Sequence, residues 1–137
     1  MEDMKKKLLI AYVGEFIGGG FYLKLSELTR DNPEISTRLR ATAGDEMRHG
    51  GYFNKCYQDV YGGKLFGRNA LIKSGKMFAY ASQLVPNKIL FKMISQGEKA
   101  ALVSLEKELK REPLNPYLEV AERILPDERK HAEPFFV

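Results

Sequence analysis

The 137-residue chain has a single cysteine, Cys56, and that scarcity closes off several chemistries. An internal disulfide, a CxxC redox pair and a four-cysteine iron or zinc site all need partners that the sequence lacks. Cys56 is expected to pack as a small apolar group, and a reducing, cytoplasmic setting follows naturally. Long apolar runs are missing too. Lys5-Lys6-Lys7 followed by Leu8 to Gly14 has the layout of a secretory leader, but Glu15 interrupts it after seven residues. No run approaches the ~20 residues needed to cross a bilayer, so a soluble protein is expected. Acid is absent from Val60 to Gly97, where Lys64, Arg68, Lys73, Lys76, Lys88 and Lys92 stand with no Asp or Glu among them. Such a 60–97 segment is most often a solvated face; it is also a candidate docking face for a partner and, second to that, for a membrane surface, and no nucleic-acid partner is expected. Histidine is the last scarce residue, with only His49 and His131 in the chain.

What is present fits one helical domain. With 44% hydrophobic and 29% charged residues, the chain can bury one core over residues 1–137. Apolar residues recur every three or four positions from about Met4 to Thr29, and Asp31-Asn32-Pro33 breaks and restarts the helix. A second helix runs to about Tyr61, where Gly62-Gly63 ends it. Some 25 residues then lead to Pro86-Asn87, with Asn69 to Val85 able to form a helix on the way; a connection this long reads as a crossover. Further helices are expected from about Pro86 to Arg111 and from Asn115-Pro116 to Pro134, the last with a bend at Pro126. The fold class is therefore all-α: an antiparallel four-helix bundle with a long crossover between its second and third helices. Gly18-Gly19-Gly20 costs helix stability, about 1 kcal/mol per Gly against Ala. Close approach of another helix is one use for the triplet, and a bend beside Glu15 is another.

The two histidines share a surrounding pattern. Asp45-Glu46-Met47-Arg48-His49 recurs as Asp127-Glu128-Arg129-Lys130-His131, each His having Glu three residues before it and Asp four before it. Three-residue spacing puts Glu and His on one helix face, where both can hold one metal ion. Each of the other two long helices carries one carboxylate in its apolar stripe, Glu15 and Glu98. Glu15 precedes Glu46 by 31 residues and Glu98 precedes Glu128 by 30, so the chain reads as a duplicated helix pair. Four glutamates and two histidines facing a common interior are the ligand set of carboxylate-bridged di-iron or di-manganese bundles. Two divalent ions would cancel the four buried charges, which could not otherwise be buried cheaply. With those four glutamates inside, 22 basic side chains face 14 acidic ones elsewhere.

These residues resemble the ferritin-like di-iron carboxylate proteins, and within them the rubrerythrin-like group, over essentially the whole chain. Glu15 to Tyr22 is similar to the family's first-helix pattern of Glu, a small residue three on and Tyr seven on. Asp45 to His49 fits DExRH, and Asp127 to His131 fits DExxH. The resemblance implies that Glu46 and Glu128 bridge two iron ions, with manganese as the alternative metal. It makes Glu15 and Glu98 terminal ligands and has His49 and His131 complete one ion each. Asp45 and Asp127 would orient the histidine of the opposite half, and Tyr22 would stand just outside the ligands. The implied activity is reduction of hydrogen peroxide or dioxygen by a homodimeric protein. Two departures stand out: Ser95 and Ala101 occupy the positions where rubrerythrins carry a second third-helix Glu, and no cysteines are present for a rubredoxin-like domain. Electrons would come from an external donor, docking on the 60–97 segment. An oxygen-dependent hydroxylase of the demethoxyubiquinone-hydroxylase sort and a non-enzymatic iron-binding or ferroxidase module are the alternative activities.

Overall fold

The computed structural model describes residues 2–135. Five helices and no strand lie among them: α1 (Glu2–Leu28), α2 (Pro33–Tyr61), α3 (Arg68–Ser82), α4 (Asn87–Arg111) and α5 (Pro116–His131). The all-α class holds, and the helix ends fall within a few residues of the expected ones. The caps explain why. Asn32 accepts a hydrogen bond from the Ile35 amide at 3.3 Å and Asn115 accepts one from Leu118 at 2.9 Å, each with proline in the first turn of its helix. Gly62 closes α2 in the left-handed region at φ 83°. The helix α5 runs on through Pro126 to His131.

The chain forms two compact units, Met1–Ser82 and Gln83–Val137. In the first, α1 and α2 pair antiparallel and α3, the crossover helix, packs against α1. Leu8, Phe16 and Leu25 of α1 meet a core that includes Leu39 and Phe53 of α2, all nearly inaccessible to water. Ser36 Oγ donates to the Ser26 carbonyl at 2.6 Å and Thr29 Oγ1 to the Leu25 carbonyl at 2.8 Å, so the turn joining α1 to α2 keeps its buried hydroxyls satisfied. Tyr12 is a core residue, 3% exposed, its hydroxyl donating to the Phe66 carbonyl at 3.4 Å. Burial raises its phenol pKa, and Arg68 opposes the shift in part. Tyr22 is also buried, edge-on to Phe21 at 5.3 Å. In the second unit Leu90 and Phe91 of α4 and Leu118, Ala121 and Ile124 of α5 are buried.

The three glycines of α1 have separate uses. A Cβ on Gly19 would lie 2.7 Å from Met47 Cγ on α2, and a Cβ on Gly20 would overlap the Ile72 carbonyl of α3. Gly75 of α3 returns the contact, since a Cβ there would overlap the Ile17 carbonyl. Close helix approach is therefore the use of this part of the triplet, and α1 continues unbroken through it. The expectation of no segment near bilayer length needs amending for α1, whose residues Asp3–Leu28 are long and apolar enough to cross a membrane. Packing against α2 and α3 accounts for part of that composition only, since Ile10 is 61% exposed and Leu9 and Val13 also face outward.

Candidate metal centre

Each unit carries three of the six expected ligands. In the first, Glu15 projects from the middle of α1 and His49 from α2, and Glu15 Oε2 lies 3.5 Å from His49 Nδ1. His49 is fully buried, and the Glu15 side chain is 14% exposed. Glu46, one turn before His49 and 7% exposed, lays its carboxylate over Gly18, where an added Cβ would stand 3.1 Å from Oε2. Gly18 is thus a cradle for a ligand carboxylate, three residues on from Glu15. The Tyr52 ring lies 6.3 Å from that of His49, near-parallel at 28°.

In the second unit Glu98 of α4 and Glu128 and His131 of α5 each bring a ligand atom within 4.8 Å of the others. Glu128 Oε2 is 3.9 Å from His131 Nδ1, with side-chain exposures of 12% and 2%. The hydrophobic face of α5 dictates this placement, because Leu118, Ala121, Ile124 and His131 occupy one buried stripe.

The distances speak for a shared ion. At 3.5 and 3.9 Å the carboxylate–imidazole pairs are longer than good hydrogen bonds. Two atoms each about 2.1 Å from one metal can stand at most about 4.2 Å apart, and both pairs fall inside that span. Glu15 Oε2, His49 Nδ1, Glu128 Oε1 and His131 Nδ1 are all shielded from water. All four are atoms that bind a borderline or hard cation through nitrogen or oxygen.

With this geometry in hand, the comparisons decide the family. The Rubrerythrin family model matches residues 6–136, nearly the entire chain. The chain belongs to the rubrerythrin family. That is a di-iron family of ferritin-like helical proteins, and the residues of this rubrerythrin fit such a centre. No curated protein and no solved structure matches the chain.

Of the residues expected to support the ligands, Asp45 accepts a hydrogen bond from Arg48 Nη2 on its own helix at 3.0 Å. Asp127 is half-buried on α5. Ser95, where a second third-helix carboxylate would stand, donates instead to the Glu133 carbonyl at 3.3 Å. Sequence reasoning did not assign Gly18 its place beneath Glu46. The signal available was its spacing of three from Glu15, which sets both on one face of α1.

Proposed function

We propose that this rubrerythrin binds two iron ions through Glu15, Glu46, His49, Glu98, Glu128 and His131. It uses them to reduce hydrogen peroxide with electrons from an external donor. The observation that carries the reading is the burial of two carboxylate–imidazole pairs, Glu15 with His49 and Glu128 with His131, each at a spacing that suits one ion. Manganese would accept the same nitrogen and oxygen donors.

In this reading the iron pair, when bound, supplies the two electrons that peroxide needs. The protein does the rest. Four carboxylates balance the charge of two divalent ions, so the centre can exist in a dry interior. His49 and His131 are held by burial on their helices and need no reorganisation to bind metal. Gly18 keeps the Glu46 carboxylate in place by leaving it room. Peroxide takes up two electrons and two protons and leaves as two waters, and the donor returns two electrons. Dioxygen is the slower oxidant here.

Rapid mixing of the anaerobic, reduced protein tests this. Oxidation by peroxide should outpace oxidation by air-saturated buffer at equal oxidant concentration. Equal rates would sink the peroxidase reading while leaving the metal centre standing.

A further inference from the structure

A cavity of about 550 Å³ opens in the second unit between α4 and the end of α5, a size suited to a small organic ligand. None of the six candidate metal ligands lines it. Part of its wall is apolar, from Leu102, Pro134 and Phe135, and the Phe135 ring stacks on buried Phe91 at 5.0 Å and 29°. The charged part of the wall is cationic. Lys88, Lys92 and Lys99 recur along one face of α4, and Arg129 joins them from α5. Glu133 is the one acid among the lining residues, and Arg129 also reaches Glu106 at 3.4 Å.

An aromatic wall beside four cations selects its ligand. A flat ring can extend the Phe91–Phe135 stack. A phosphate dianion suits several lysines and an arginine, whereas a single carboxylate on an acyl chain would leave most of that positive charge unmet. We propose that this cavity binds a planar heteroaromatic ligand carrying phosphate, of the flavin or nicotinamide nucleotide class. The ring lies against Phe135, and the phosphate meets those cations among Lys88, Lys92, Lys99 and Arg129 that stand nearest to it, since Lys88 and Lys99 are about 16 Å apart along α4. Ser95 and Lys99 flank Glu98, and Ala132 follows His131, so the ligand sits beside the turns that carry metal ligands. A reduced ligand of this class gives up two electrons and becomes oxidised, matching the two that peroxide consumes. That role as the external reductant rests on the function proposed above, and the binding does not.

The test is a titration of the full-length protein, metal-loaded and metal-free, with flavin mononucleotide and with NADH, followed by ligand fluorescence. Riboflavin and palmitate serve as comparisons. At least one nucleotide should bind saturably in both metal states and weaken as salt rises. If that nucleotide is the flavin, riboflavin, which lacks the phosphate, should bind about tenfold more weakly or worse. Binding of NADH alone supports the proposal and selects the nicotinamide source. Lys92→Glu combined with Lys99→Glu should cost about tenfold or more in nucleotide affinity while helicity and iron content stay at the unmodified protein's level. The proposal is overturned if neither nucleotide binds, if palmitate binds more tightly than both, or if the double variant binds as well as the parent. A nucleotide that binds but, supplied in its reduced form, does not reduce the oxidised metal-loaded protein removes the reductant role and leaves the site.

Discussion

Replacing Gly75 by alanine should lower the thermal midpoint of unfolding by about 10 °C. A Cβ at this position would overlap the Ile17 carbonyl and lie 2.7 Å from the Phe21 amide nitrogen, both backbone atoms of α1. A flexible side chain could swing aside, but backbone inside a helix cannot move without taking its neighbours along. Overpacking of a closed contact costs about 1–3 kcal/mol and occasionally more. Rigid backbone on both sides puts Gly75 at the upper end of that range. Better helix propensity returns at most about 1 kcal/mol. A net loss of about 2–3 kcal/mol at this chain length corresponds to the shift stated. Gly14 is the internal control, because nothing lies within 4 Å of an added Cβ there. Gly14→Ala should leave the midpoint unchanged or raise it slightly. Circular dichroism melts of the two variants check the pair, and a Gly75→Ala midpoint equal to that of Gly14→Ala would mean that α3 does not pack on α1 at this distance.

Glu128→Gln should change stability in opposite directions with and without metal. In the metal-free protein Glu98 and Glu128 hold carboxylate oxygens within 4.8 Å of each other in a poorly hydrated interior. Like charges so placed destabilise the fold. Replacing one with a neutral amide of nearly the same shape relieves that repulsion, so the metal-free variant should melt higher than the metal-free parent. In the metal-loaded protein the same change removes a ligand charge, and affinity for iron should fall by about 100-fold or more, since even residues that only support ligands cost about 10–100-fold. Metal binding stabilises the folded state in proportion to the logarithm of ligand over Kd, so most of the metal-induced rise in midpoint should vanish. Melting curves with chelator and with ferrous iron give both halves of the result. A variant destabilised to the same extent in both conditions would show Glu128 to be a packing residue.

The ligand residues were legible because helix geometry links sequence spacing to position on a surface. A Glu three residues before a His shares its face, and an acid inside an apolar stripe has to be neutralised. Asn32-Pro33, Asn115-Pro116 and Gly62 announced helix ends through well-understood caps. The crossover helix was legible as α3 from its periodicity, but its packing partner was not. Periodicity says that a helix has an apolar face, and the match of Gly20 with Ile72 and of Gly75 with Ile17 depends on which helix comes close. The long apolar run of α1 was underestimated, because one buried stripe says nothing of the apolar residues on the other faces, such as Ile10 at 61% exposed. The cavity beside α4 escaped notice too. Lys88 and Lys92 were visible as part of an acid-free segment, but Lys99 lies outside it, and the aromatic pair Phe91 and Phe135 lies far apart in sequence and meets only in the fold.

The central claim is a centre for two metal ions built from six side chains, and stoichiometry tests it most directly. Metal-free protein titrated anaerobically with ferrous iron, with bound iron counted by elemental analysis after removal of excess, should take up two ions per chain and stop. Glu98→Ala should lower that number or the affinity. Uptake of no iron, of a single ion, or of iron that keeps accumulating past two would contradict the account.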